Sequence, residues 1–390
     1  MVTLMSISTS IRATIWLIFR LLENAANKLC HGRFRHVAAV ALLAPLLTLT
    51  PSAQAGDDIA RIDKILDKSV SRHEFMGAVL VARDGKILLN KGYGYANLEW
   101  NVKNTAASKF RLGSISKQFT AAAILLLEER GKLKVGDPIG KFLPDAPAAW
   151  SKVTLFHLLS HTSGVPSYTD LPEIETWGRL ETTPMELIGR LRSLPLEFEP
   201  GERWSYSNSG YFLLGYVIEQ VSGQSYAEFL HDNIFTPLHM HDTGYDHTEQ
   251  VLSQRASGYR STSDGITNAE FTDMSVPFAA GALYSTTGDL FRWETALFGE
   301  HLLSASSLKK MTTPSKGNYG FGIFVHHLLG RTDFEHGGNI NGFSANMEYF
   351  PDDGLHVILL SNVEGGVVFE LAARIDAIEL DAVKHGSRGK

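Results

Sequence analysis

Apolar residues recur at helical spacing at Ile59, Ile62, Leu66 and Val70, which predicts an amphipathic helix over 57–72. Two further runs, Gly77–Ala82 and Lys86–Tyr93, flank Asp84-Gly85. That dipeptide can fill both positive-φ positions of a tight turn, so the pair reads as a β-hairpin. The middle of the chain has a largely helical pattern. Its clearest helices cover 114–130, closed by Gly131, and 209–222, closed by Gly223. Strand patterns return at 319–327, 332–337, 342–350 and 355–361, with Pro351-Asp352-Asp353-Gly354 turning between the last two. A final helix is expected over 367–384.

Strands at both ends of a chain close most simply into one antiparallel sheet. The expected fold is therefore α/β of the α+β type: a sheet flanked by the terminal helices, with an inserted, mainly helical lobe. The sheet lobe should comprise about 56–130 and 281–390, and the helical lobe about 131–280. Neither an internal repeat nor a low-complexity linker interrupts it.

Composition narrows the class. The 390 residues are 44% hydrophobic and 20% charged, as in ordinary globular proteins. Lysine plus arginine (36) nearly balances aspartate plus glutamate (42), and no basic run is interleaved with aromatics, so no nucleic-acid partner is expected. Near the N-terminus Arg33, Arg35 and His36 precede an apolar run, Val37 to Thr50. Ala53-Gln54-Ala55 and the acidic Gly56-Asp57-Asp58 follow, the pattern of a secretory signal cut after Ala55 and of a periplasmic or secreted product. The run is shorter than the ~20 residues of a membrane span, and Pro45 interrupts it. The stretch before Arg33 is long for a signal and holds a second small apolar patch, Ile15 to Phe19. Cys30, the only cysteine, lies upstream of the expected cut and follows the large Leu29, which speaks against lipid attachment. The mature chain then has no disulfide, thiolate nucleophile or cysteine metal site.

Candidate chemistry sits at the head of helix 114–130. Ser114 and Lys117 are three residues apart and share a face. From Phe119 to Leu127 the helix is almost wholly apolar, so it is read as buried, and burial favours a neutral lysine able to accept a proton from a hydroxyl. The helix N-terminus offers backbone N–H groups to a developing oxyanion. An isolated Ser-x-x-Lys is weak, because Ser114 can cap a helix whose Lys117 reaches solvent. Ser116 is a rival in the same turn, but it diverges from the adjacent Lys117 around the helix. Two later motifs strengthen the pair. Tyr206-Ser207-Asn208 precedes helix 209–222 and offers a proton relay and an amide contact. His336-Gly337-Gly338 ends a strand, where two glycines leave the backbone open to a substrate.

S-x-x-K, S-D-N and K-T-G are the signature of class A β-lactamases and penicillin-binding proteins. Here the three appear in order as S-I-S-K, Y-S-N and H-G-G. The Y-x-N form resembles the class C β-lactamases, D-alanyl-D-alanine carboxypeptidases, D-aminopeptidases and related esterases. Leu158-Leu159-Ser160-His161-Thr162-Ser163-Gly164, Pro200-Gly201-Glu202, Gly281-Ala282-Leu283-Tyr284-Ser285-Thr286 and Gly342-Phe343-Ser344 agree, so the resemblance covers most of 70–362. It implies an acyl-enzyme on Ser114, with Lys117 and Tyr206 sharing the proton transfers and either able to be the base. Asn208 would contact the substrate amide, and the N–H groups of Ser114 and Asn339, beside Gly337 and Gly338, would form the oxyanion hole. It implies no cofactor, a small-molecule or peptide substrate, and no particular oligomeric state.

Two departures qualify the resemblance. His336 replaces the usual lysine of K-T-G, which speaks against dedicated antibiotic hydrolysis. If His336 faces the cleft, activity on carboxylate-bearing substrates should fall relative to neutral esters as pH passes about 6.5. Pro237-Leu238-His239-Met240 replaces Pro-Leu-Gly-Met and is read as a tolerated turn change. His161 is read as a structural turn residue, and His326-His327 and His239/His241 as surface pairs. No H-E-x-x-H or tight His/Asp cluster suggests a metal, and no G-x-S-x-G, P-loop or dinucleotide motif occurs.

Overall fold

The hairpin signal around Asp84-Gly85 produces strands β1 (Gly77–Arg83) and β2 (Lys86–Tyr93) in the computed structural model, which describes residues 51–328 and 330–386. The C-terminal patterns produce β3 (Phe324–Leu328), β4 (Arg331–Ile340), β5 (Phe343–Phe350) and β6 (Leu355–Ser361). These six form one antiparallel sheet in the order β3-β4-β5-β6-β1-β2. The two ends of the sequence meet in the β1–β6 register, where Val79 lies opposite Leu359.

Alternation along the strands sorts the two faces. Val79, Val81, Val357 and Leu359 pack against Ile62 and Leu66 of helix α1 (Pro51–Ser71), and against Leu371 and Ile375 of the C-terminal helix (Val367–Gly386). Ala78, Leu80, Ala345, Met347, Ile358 and Leu360 face the other way, onto the buried α2 (Ser116–Glu129). α3 (Asn208–Ser222) packs on α2 and stops at Gly223, whose φ of 73° is the left-handed cap position. Ala55–Lys390 holds together as one compact unit. The expected apolar leader lies outside the described residues, and no helix among them is long and apolar enough to cross a membrane.

Four expected boundaries move. The strand expected over 332–337 runs on to Ile340, so His336-Gly337-Gly338 lies within it and does not end it. α1 begins at Pro51 instead of 57. The strand expected over 319–327 is confined to Phe324–Leu328, because Gly322 has a φ of 72° and breaks the extended run. The helix expected from 114 starts as a 3₁₀ turn, Gly113–Ile115, and becomes α-helical at Ser116. This last shift matters for chemistry.

Candidate active site

In a 3₁₀ turn, side chains three residues apart eclipse one another. The turn preceding α2 therefore brings Ser114 directly over Lys117, and their Oγ and Nζ atoms are 2.9 Å apart. Ser116 is excluded as a rival: it is buried, and its Oγ accepts the N–H of Leu283 at 3.2 Å.

Lys117 has no exposed surface. Its Nζ donates to Asn208 Oδ1 and to the Ala280 carbonyl, both at 2.8 Å, and lies 4.9 Å from the centre of the Tyr206 ring. Every oxygen around it belongs to a neutral group. Desolvation therefore pushes its pKa well below the ordinary lysine range. Asn208 is the first residue of α3, and its amide orientation is set by a bond from Nδ2 to Thr169 Oγ1 at 3.1 Å. Tyr206 is half-buried, but its hydroxyl is fully buried and makes no hydrogen bond of good geometry, with Ser114 facing it. Burial raises its pKa well above the usual phenol range.

The glycine strand reaches the same turn. A Cβ on Gly338 would lie 1.9 Å from the Leu112 carbonyl oxygen and 3.2 Å from Ser114 N. On Gly113, where φ is 53°, a Cβ would lie 2.9 Å from Asn339 N. Only hydrogens fit between turn and strand, so the backbones of Ser114 and Asn339 lie side by side. β3 pairs with β4 only as far as Glu335, which leaves 336–340 unpaired on that side. The Asn339 side chain is exposed and accepts from Ser344 Oγ at 2.8 Å.

One expected site residue is corrected. His336 has no exposed surface, and both ring nitrogens are occupied. Nδ1 lies 2.6 Å from its neighbour's carbonyl, Gly337 O, which requires Nδ1–H; Nε2 then accepts from the Tyr319 hydroxyl at 3.0 Å. Burial, with Lys117 nearby, lowers its pKa to about 3, so it stays neutral throughout the range in which the sequence suggested it would titrate. It is no carboxylate-binding cation. His239 has a φ of 55°, so the glycine expected at that turn avoids a strain that histidine bears. His239 and His241 are exposed, whereas His326 is half-buried against Glu335.

A model described as beta-lactamase matches residues 62–381. The chain belongs to the beta-lactamase family. A Bacillus subtilis (strain 168) protein named for penicillin binding, PbpX, is 32% identical over 291 residues, 74% of this chain and 71% of that one. The octameric penicillin-binding protein homologue from Pyrococcus abyssi superposes with a TM-score of 0.73 at 29% identity, covering 83% of this chain and 77% of the other. The D-amino acid amidase from Ochrobactrum anthropi SV3 also gives 0.73, at 26% identity, covering 85% of this chain and 99% of the amidase. As a member of this family the protein is a serine hydrolase of the acyl-transfer kind.

Sequence reasoning missed two partners within this family site. Ala280 acts through its carbonyl, which no side-chain pattern reveals, and Thr169 is distant in sequence from the Asn208 it orients. It also missed a group on the opposite face of the sheet. Asp333, Glu335 and Glu348 are buried with carboxylate oxygens within 4.8 Å of one another. Only the register that places Glu335 opposite Glu348 brings them together.

Proposed function

We propose that this protein is an exported serine hydrolase in which Ser114 attacks the carbonyl of an ester, amide or peptide and Lys117 takes its proton. The coordination of Lys117 carries the reading. A neutral amine has two hydrogens and one lone pair. Asn208 Oδ1 and Ala280 O can only accept, so they take both hydrogens. The lone pair is left for the Ser114 hydroxyl.

As the Oγ–C bond forms, the hydroxyl proton passes to Nζ, and the N–H groups of Ser114 and Asn339 hold the oxyanion. Tyr206, kept protonated by burial, gives its proton to the leaving oxygen or nitrogen as that bond breaks, and the Lys117 ammonium restores it. A water then attacks the acyl-enzyme and the proton transfers run in reverse. The position of the buried Tyr206 hydroxyl supports this role, because it faces Ser114 and is held by no other side chain.

The neutral, occupied His336 disfavours substrates that need a fixed cation, and the likeness to a D-amino acid amidase supports amides of D-amino acids beside simple esters. The test is a fluorophosphonate probe followed by a panel of short acyl esters, D-amino acid amides, D-alanyl peptides and a chromogenic cephalosporin. The adduct should map to Ser114, and Ser114→Ala should abolish labelling and turnover. Labelling retained in that variant, or an adduct on Ser116 or Ser163, would end this mechanism. Across pH 5.5 to 8, a range of about 2.5 units around the ordinary histidine value, the ratio of carboxylate to neutral-ester activity should stay flat. Export rests on the A-x-A pattern, and N-terminal sequencing of the exported product should begin at Gly56.

A further inference from the structure

Tyr206 lies on a loop, yet the proposed mechanism needs its hydroxyl held beside Ser114. One residue supplies the hold. The carbonyl of His161 accepts the N–H of Ser205 at 2.9 Å, and its Nδ1 accepts the N–H of Ser207 at 3.2 Å. The backbone donors on both sides of Tyr206 thus end on the same residue. Between them, the His161 ring lies against the Tyr206 ring, with centroids 4.3 Å apart and planes inclined by 39°. A φ of 56° at His161 lets its carbonyl and its ring address the same loop.

We infer that His161 is a positioning residue that fixes the Tyr206 phenol for proton transfer, an inference that rests on the catalytic role proposed for Tyr206. Because Nδ1 accepts from an amide, the ring is the neutral Nε2–H tautomer. A second proton would go on Nδ1 and break the bond to Ser207. The surroundings oppose that protonation: Tyr206, Tyr211 and Tyr319 enclose the ring, and burial holds its pKa well below the usual range. Tyr211 Oη is bonded to the Leu159 carbonyl at 2.8 Å and Tyr319 Oη to His336, so neither competes for Nδ1. His161 acts as a fixed acceptor and a flat wall, with no part in the proton traffic.

Two substitutions separate positioning from bulk. The amide oxygen of asparagine can take the place of Nδ1, and asparagine tolerates positive φ. Glutamine places its oxygen one bond further out, where Nε2 lies. His161→Asn should keep kcat/KM for a neutral ester within about threefold. His161→Gln should lose about 100-fold, mainly in kcat, as expected when a reacting group is misplaced by about an ångström. The decisive measurement is a double-mutant cycle with Tyr206→Phe. In the Tyr206→Phe background His161→Gln should cost almost nothing further, at matched Tm. Additive losses, or equal activity of the Asn and Gln variants, would overturn the inference while leaving the mechanism intact. Full activity of Tyr206→Phe alone would instead overturn the role of Tyr206 itself.

Discussion

Arg111 and Lys117 are two basic residues on adjoining segments of chain, and the fold treats them in opposite ways. Arg111 meets the fully buried Asp246 at 2.7 Å, and Arg255 reaches the same carboxylate at 2.7 Å. Lys117 is buried more deeply and receives only a hydroxyl, an amide oxygen and a backbone carbonyl. A buried charge needs an opposite charge or must give up its proton. Arginine cannot give up its proton, so a carboxylate is supplied. Lysine can, and withholding a carboxylate favours the neutral amine that the proposed mechanism uses as its base.

The comparison breaks most clearly if Lys117 is given what Arg111 has. Asn208→Asp would place a carboxylate against Nζ and stabilise the ammonium. A shift of 1–3 pKa units is typical for such a contact, so activity at neutral pH should fall by about 10- to 1000-fold. The sign is fixed: the acid limb of kcat/KM moves to higher pH, and raising the pH should recover part of the loss. A pH–rate profile in which Asn208→Asp is equally impaired at every pH would refute the neutral-amine assignment.

Removing the carboxylate from the other site should act on stability. Asp246→Asn leaves two guanidinium groups facing a neutral amide and should cost about 3 kcal/mol in urea unfolding. The acid limb should stay where it is.

A third experiment reads the Lys117 proton through folding. Its folded pKa lies below the unfolded one, so the unfolded chain binds more protons and wild-type stability rises with pH between the two values. Lys117→Met lacks this term. It should be inactive, more stable than wild type at neutral pH, and its advantage should shrink by at most about 1.4 kcal/mol per pH unit as pH rises. A pH-independent advantage would mean that Lys117 is charged in the folded protein.

The smallest effect lies away from the site. His239→Gly relieves a left-handed residue and should raise stability by about 0.5–1 kcal/mol without altering activity.

Much of this was legible in the sequence. β1 and β2 followed from Asp84-Gly85, and β5 and β6 from their alternation and the Pro-Asp-Asp-Gly turn, each within a residue or so of the expected span. Ser114, Lys117, Tyr206 and Asn208 were found by motif order, and the structure gathers them. What stayed hidden depends on non-local contacts. The three-stranded sheet of Tyr259–Thr262, Gly265–Asn268 and Val363–Glu364 is built from strands too short for a periodic signal. The fate of His336 depended on Tyr319, which lies outside the shortened strand and bonds its Nε2. His161 looked like a turn residue and is one; its bonds to either side of Tyr206 needed the folded loop.

The 3₁₀ turn at Gly113–Ile115 carries both the proposed nucleophile and one amide of the proposed oxyanion hole, and it rests on a strand that tolerates no side chain at Gly338. In the proposed mechanism attack and charge capture are therefore inherited together, through backbone that admits almost no variation. Natural or laboratory evolution toward new substrates would then proceed through segments outside this turn and strand. Divergence among descendants of this protein should accumulate there while 112–117 and 336–339 stand still.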